Sequence, residues 1–426
     1  MKKYSVISLG CSKNLVDSEK FAGIIETNSY EYTNVNEDAN VIIINTCGFI
    51  NDAKEESVNT ILEAVDFKTT GKCEKLVVTG CLVKRYFEDI KTDIPEIDEL
   101  IDLKDFDKFS KIFSDRKAPL RPKRKLLTLS HFAYLRISDG CNNHCNYCSI
   151  PSIRGSLKSI PIENLVSEAT ELAERGVVEL IITAQDTANY GKDIYGKPKI
   201  AELLAELHKI DGIKLIRLLY LHPAHITSKL IDTMIRLPKV CNYFEIPLQH
   251  INDELLSNMN RKVTKARIIE ILSEIKAKCA DAVIRTTFIV GFPGETETQF
   301  IELKDFIVEQ KFLRLGIFTY SKEEGTKASE YTNEIPSEAA EKRRDELMMI
   351  QQQISEEMMQ NFVGKTFSVI IDELGENDIK YIGRSYLDSP EIDGNVFIEE
   401  GKAEIGEIVN VEIIDSWEYD LVGNIV

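Results

Sequence analysis

Nine times between residues 4 and 320, a short run of contiguous apolar residues gives way to a more polar stretch, several of helical period. That alternation leaves few folds open. Runs such as Val41-Ile42-Ile43-Ile44-Asn45-Thr46 and Leu76-Val77-Val78-Thr79-Gly80 are apolar on both faces. Strands of that kind are buried on both sides, which calls for a parallel sheet covered by helices. Three runs (4–10, 41–46, 76–80), with helical stretches at 18–26 and 53–67, predict an N-terminal doubly wound α/β unit over residues 1–118. Six more (133–138, 178–183, 215–221, 243–248, 283–290, 315–320) alternate with helices such as 162–175, 200–209 and 297–309. Six units are too few to close an eight-stranded barrel, so an open (β/α)6 barrel is expected over residues 127–360. A helix over 337–361, N-capped by Ser337, leads to a small antiparallel β-barrel over 361–426, read from short strands at 367–371, 379–385, 395–398 and 408–414. Ser389-Pro390 and Asp393-Gly394 read as its turns.

The cysteines carry the chemistry. Cys141, Cys145 and Cys148 stand in a C-x3-C-x2-C run in the first loop of the expected barrel. A four-iron, four-sulfur cluster normally takes four thiolates. Three leave one iron open to a substrate or cofactor. The alternatives are reduced structural cysteines or a zinc knuckle; zinc asks for a fourth Cys or His at close spacing, and His144 lies inside the run where its backbone is constrained. In the first unit each strand is followed at once by a cysteine: Cys11, Cys47 and Cys81. The carboxyl ends of neighbouring strands in such a sheet share one edge, where ligands bind, so three thiols can converge there on a second cluster. Gly10, Gly48 and Gly80 would let the backbone approach it. One such cysteine alone is ordinarily a small core residue. Three in register point to ligation. Cys73, Cys241 and Cys279 follow no ligand spacing and read as core or surface thiols.

A C-x3-C-x2-C run opening a partial barrel resembles the radical S-adenosylmethionine enzymes. The resemblance implies that Cys141, Cys145 and Cys148 hold a [4Fe–4S] cluster whose open iron binds S-adenosylmethionine. Tyr147 matches the position near the adenine, Gly291-Phe292-Pro293-Gly294-Glu295 matches a common turn of the family, residues 183–186 (Gln185 and Asp186 among them) line the methionine end, and Arg261 is a candidate carboxylate contact. His222, His225 and His250 fall near the same face in a structural or substrate-lining role. The whole chain is similar to the methylthiotransferases. Gly10-Cys11-Ser12-Lys13-Asn14-Leu15-Val16-Asp17-Ser18-Glu19, Asn45-Thr46-Cys47-Gly48-Phe49 and Thr79-Gly80-Cys81 look like their N-terminal domain, and the last segment looks like their TRAM domain. That implies two [4Fe–4S] clusters, the auxiliary one on Cys11, Cys47 and Cys81. One S-adenosylmethionine supplies a methyl group to sulfur at the auxiliary cluster, and another supplies the radical that activates an unactivated carbon. An electron donor of flavodoxin or ferredoxin type is implied as well.

Cys148-Ser149-Ile150-Pro151-Ser152-Ile153-Arg154-Gly155 and residues 383–394 (GRSYLDSPEIDG) resemble the RimO branch, which modifies the β-carbon of an aspartate in small-subunit ribosomal protein twelve, free or within the ribosomal subunit. The branch that acts on adenosine in transfer RNA carries a more basic final domain. Here residues 361–426 hold four basic and fifteen acidic residues, a net of −11 out of −18 for the chain. Such a module repels phosphate backbones and suits a basic protein partner, unless it is simply an acidic solubilising domain. Ser159-Ile160-Pro161 replaces the family's Arg-Pro and removes a candidate anion contact. The basic stretch 116–125 reads as a linker, either a solvated charge run or a weak RNA surface. A third reading, a metal-binding ribosome-associated module without catalysis, predicts metal but no cofactor cleavage. The apolar run after Lys2 and Lys3 is too short for a signal sequence, no run of 18 apolar residues follows, and nine unevenly spaced cysteines do not form a disulfide framework. A soluble cytoplasmic protein without membrane attachment is expected.

Overall fold

Val41–Thr46 is buried along its whole length, as a central strand covered on both faces must be. The computed structural model describes residues 1–114 and 123–426. In the first unit β1 (Lys3–Ser8), β2 (Glu31–Tyr32), β3 (Val41–Thr46), β4 (Lys75–Gly80) and β5 (Glu99–Leu100) form one parallel sheet in the order β2-β1-β3-β4-β5. The two-residue edge strands are too short to leave a sequence pattern. The first helix spans Ser12–Glu26 and not 18–26. Its polar opening turns read as loop, yet Asn14, Asp17, Ser18 and Glu19 are all buried and hydrogen-bonded or ion-paired at an interface. Cys47 and Cys81 follow their strands directly, whereas Cys11 stands three residues past β1 as the N-cap of that helix.

The second unit contains β6 (Phe132–Arg136), the paired two-residue strands β7 (Ser138–Asp139) and β8 (Lys158–Ser159), β9 (Glu179–Thr183), β10 (Leu215–Leu218), β11 (Val240–Glu245), β12 (Val283–Val290) and β13 (Arg314–Thr319). Six of them form a parallel sheet in the order β13-β12-β11-β10-β9-β6. It is the open barrel that the repeat count implies. The long helix runs Ser337–Gln360; its flanking residue is Pro336, with no side-chain cap, so Ser337 is the first helical residue and not the cap.

Beyond it, β14 (Thr366–Leu374), β15 (Tyr381–Arg384), β16 (Val396–Glu400), β17 (Ile408–Ser416) and β18 (Leu421–Ile425) close into a barrel ordered β14-β15-β16-β18-β17. This barrel is not wholly antiparallel. The chain skips a position between β16 and β17, β18 turns back into the gap antiparallel to β17, and it therefore runs parallel to β16. The four strands read from sequence lacked β18.

The small barrel and the open one share a core. Phe132, Tyr134, Tyr243, Val283 and Leu313 of the open barrel pack in one apolar cluster with Phe367, Val369, Leu387, Val396 and Ile413. Residues 384–393, which sequence reads partly as turns, are drawn into the open barrel's interior, where each of the six strands supplies a polar partner. The Tyr134 hydroxyl donates to Glu391 at 3.4 Å. Glu179 accepts from Arg217 at 3.0 Å and from Arg384 at 2.8 Å, and Arg217 donates to the carbonyl oxygens of Tyr386 and Ser385. Tyr243 and Arg285 both donate to Asp393, at 2.6 and 3.1 Å. Arg314, at the start of β13, completes the ring with Asp388. Asp372 is held by His131 and Arg384. Short strands would leave a hole at the amino end of an open barrel; here a charged plug fills it and every one of these charges has a partner.

Breaking a buried ion network by neutralising one member leaves uncompensated charge and costs about 3 kcal/mol. Glu179→Gln leaves the shared carboxylate of Arg217 and Arg384 uncharged, and it is expected to lower unfolding stability by about that amount, read from denaturant midpoints against the wild type.

Candidate active site between the two cysteine trios

The carboxyl edges of the two parallel sheets face one another. Ser12 and Thr183 hydroxyls meet at 3.1 Å, Ser149 donates to the Phe49 carbonyl at 3.5 Å, and Glu323, just past β13, takes Lys54 and Arg85 of the first unit at 3.0 Å each. The trio Cys11, Cys47 and Cys81 therefore lies opposite the loop carrying Cys141, Cys145 and Cys148.

Each trio is drawn together by its backbone. Gly10 and Gly80 adopt φ of +82° and +109°, and a Cβ on Gly10 would stand 2.7 Å from the Cys47 Sγ. Cys47 and Cys81 are buried, and burial raises both thiols, Cys81 to about 11, with the neighbouring trio members raising them further. Cys11 goes the other way. Burial raises it, but the charges of Lys13 and Arg154 and two backbone N–H groups outweigh that and bring it below the ordinary thiol range. In the other loop, burial raises Cys141 to about 11 and Cys148 to about 12. Among the described residues no group of three or more His, Cys, Asp or Glu is placed to hold a single ion. His144 is exposed at φ +51°, its carbonyl taken by Asn260.

The expected cofactor residues gather around the second trio. Asn143, inside the cysteine run, donates to Asp186 at 2.8 Å, and Asp186 also holds His225 at 2.6 Å. Gln185 donates to Asp139 at 3.2 Å. Arg261 is buried, with its guanidinium 3.7 Å from the Cys145 Sγ and bonded to the Pro247 carbonyl, so it is no exposed helix-end residue. Tyr147 packs with Leu255, Met259 and Phe292. Gln185 Oε1, Asp186 Oδ1, His222 Nε2 and Arg261 Nε are buried without hydrogen-bond partners. Orphaned donors and acceptors around a cysteine loop fit a polar, zwitterionic ligand. Gly291 and Gly294 have a packing reason instead: their missing Cβ atoms would meet Ala340 and Asn333. His250 is buried against Glu295 at 3.3 Å.

Sequence reasoning did not single out Arg154. It is buried, donates to Asn14 at 2.5 Å and Asp139 at 3.2 Å, pairs with Asp17 at 3.4 Å, and lies 3.7 Å from the Cys81 Sγ. Sitting six residues past Cys148, it ties one trio's loop to the other trio. Arg124 of the basic stretch is neither solvated nor free for RNA; it is buried against Glu19 at 2.9 Å and Glu168 at 2.7 Å, because it pins the segment to the first helix. Residues 116–122 of that stretch lie outside the described residues.

Family models match all three units: the radical SAM superfamily over residues 135–307, uncharacterized protein family UPF0004 over 3–102, and the TRAM domain over 363–426. The ribosomal protein uS12 methylthiotransferase RimO of Clostridioides difficile (strain 630) is 46% identical over 440 residues, which cover 100% of this chain and 99% of that protein. Its counterpart from Acetivibrio thermocellus is 42% identical, covering 100% and 98%. Among solved structures, the radical S-adenosylmethionine methyltransferase TsrM of Kitasatospora setae, with cobalamin and a [4Fe-4S] cluster bound, shares the fold at TM-score 0.52 and 12% identity over 75% of each chain. The cobalamin-dependent radical enzyme OxsB does so at TM-score 0.52 and 10% identity, over 83% of this chain and 56% of that one. Membership of the superfamily implies S-adenosylmethionine and a [4Fe–4S] cluster. With full-length identity above 40% and two cysteine trios set edge to edge, the chain belongs to the RimO methylthiotransferase family of radical S-adenosylmethionine enzymes.

Proposed function

We propose that the protein attaches a methylthio group to the β-carbon of an aspartate in ribosomal protein uS12, in the cytoplasm, using two [4Fe–4S] clusters. The observation that carries this reading is the facing arrangement of two three-cysteine sites joined by Arg154. In this proposal Cys141, Cys145 and Cys148 hold one cluster and Cys11, Cys47 and Cys81 the other. Bound there, with S-adenosylmethionine, the first supplies a 5′-deoxyadenosyl radical and the second supplies sulfur. Tyr147, Gln185, Asp186 and Arg261 hold the cofactor beside the first trio, the unsatisfied atoms of Gln185, Asp186 and Arg261 taking its polar groups, while Gly291 and Gly294 shape the turn behind it. Arg154 keeps the two loops in register. The first unit covers the carboxyl face and the plug of residues 384–393 fills the amino end, so access to the site is confined to the gap between the units. A flavodoxin- or ferredoxin-like protein is the proposed electron donor.

The C-terminal barrel supports a protein substrate less simply than its charge suggests. Asp372, Asp388 and Asp393 are consumed by His131, Arg384, Arg314, Tyr243 and Arg285. Exposed acids remain at Glu373, Glu376, Asp378, Glu400, Glu404, Glu407, Glu412, Asp415 and Glu418, against the exposed lysines Lys365, Lys380 and Lys402. They repel a phosphate backbone and attract a basic protein.

The reconstituted enzyme is expected to methylthiolate a uS12 loop peptide and to leave an anticodon stem-loop unmodified, read by mass spectrometry; turnover of the RNA alone would falsify the proposal. Cys141→Ala is expected to abolish deoxyadenosine formation. Cys47→Ala is expected to retain it while losing sulfur insertion. Gly10→Ala, which drives a methyl group into Cys47 and strains φ, is expected to reduce bound iron from about eight to about four per chain by metal analysis.

A further inference from the structure

Eight lysine or arginine side chains are buried among the described residues: Lys13, Arg124, Arg136, Arg154, Arg217, Arg261, Arg314 and Arg384. Six of them form ion pairs with carboxylates. Arg261 has a backbone carbonyl and a cysteine sulfur. Lys13 has neither. It is 6% exposed, and its ammonium lies 3.4 Å from the centre of the Tyr220 ring, with no ion pair or hydrogen bond to its Nζ among the described residues. Burial disfavours the charged form of Lys13 and lowers its pKa, Arg154 adding to that and Cys11 and Glu245 opposing it, so an anion reaching the ammonium would relieve a real cost.

Its setting is built. Lys13 opens the first helix two residues after Cys11, and its carbonyl accepts from Arg136 at 3.3 Å. Tyr220 lies just past the carboxyl end of β10 at φ +61°, its N–H donating to Glu245 at 3.1 Å and its carbonyl accepting from Thr187 at 3.0 Å. The ring is thus fixed at the edge of the sheet, and the ammonium rests on it. The charges that act most strongly on Lys13 are Cys11, Arg154, Glu245 and Cys81. Glu245 is already engaged by Arg285 at 3.2 Å, and Cys81 by Arg154. Cys11, Ser12, Tyr220 and Gln185 around it are partly exposed, which leaves a way in from between the units.

Resting on the proposed reaction at an aspartate, we infer that Lys13 is the residue that binds the substrate's side-chain carboxylate and so selects aspartate over asparagine. The carboxylate carbon is bonded directly to the β-carbon. An ammonium beside Cys11 holding that carboxylate therefore sets the reacting carbon next to the trio proposed to supply sulfur. Arg154 and Arg261 each touch a cysteine sulfur and are spoken for; Lys13 Nζ makes no hydrogen bond to a sulfur among the described residues and rests on the Tyr220 ring at the edge of the open barrel.

The test compares anaerobically reconstituted wild-type and Lys13→Met enzyme at equal iron content, reading fluorescence anisotropy of a labelled uS12 loop peptide carrying either the target aspartate or asparagine. The wild type is expected to prefer the aspartate peptide. Lys13→Met is expected to bind it about thirtyfold more weakly, the lower end of what removing one partner of a buried charge pair costs in binding, and to bind the asparagine peptide as the wild type does. Lys13→Gln serves where the methionine variant loads iron poorly, with the same direction expected. A variant that keeps the wild-type preference while its cluster spectrum shifts would assign Lys13 to the cluster and overturn the inference alone. A wild-type enzyme indifferent to the two peptides overturns the aspartate reading with it.

Discussion

The guanidinium of Arg154 is the contact on which the rest of the site depends. It leaves the loop of one cysteine trio, crosses the junction between two sheets, and meets Asn14, Asp17 and the Cys81 sulfur of the other. Asp17 is shared with Arg136, and Asp139 with Lys104, so the junction is a closed set of alternating charges. Burial favours the neutral form of Asp17, but Arg136 and Arg154 outweigh it and hold its carboxyl below the usual range. A planar, permanently charged fork suits this position in a way a lysine would not, because it satisfies several acceptors in fixed directions at once. Two units that must present six thiols to one space gain registration from this cluster, and apolar packing alone would let them slide.

The other end of the open barrel is solved by the same means with a different purpose. Arg217, Arg285 and Arg314 project from consecutive or near-consecutive strands into an interior too narrow for helices, and residues 384–393 bring carboxylates and carbonyl oxygens to meet them. The segment 383–394 that resembles the RimO branch lies here, at the opposite end of the open barrel from the two cysteine trios. Its distinctiveness belongs to how the final barrel docks.

Much of this was legible in the chain. Continuous apolar runs announced two parallel sheets, and three thiols in register with strand ends announced a shared edge, since both signals are local. What stayed hidden depends on partners far away in sequence. Glu179 and Arg217 look like interruptions in apolar strands until Arg384 arrives from more than 160 residues on. Arg124 looks solvated beside Lys123 and Lys125, and only Glu19 makes it a buried anchor. Arg154 and Lys13 were in quoted motifs, but a motif does not say which of its charges will be paired. The strand Leu421–Ile425 escaped because its place is a gap left by the preceding strands, which no local pattern records.

The pairing pattern itself separates scaffold from chemistry. Away from the cysteines, buried cations have carboxylates, and a structure that needs only to be stable ends there. Beside the cysteines the rule lapses: Arg261 leans on a thiol and a carbonyl, Lys13 on an aromatic face, and Gln185, Asp186 and His222 keep polar atoms without partners. Such deficits cost stability wherever they occur. Those at the carboxyl edges of both sheets, on the two sides of one junction, are what a site assembled to receive anionic metal clusters, a zwitterionic cofactor and a carboxylate would require.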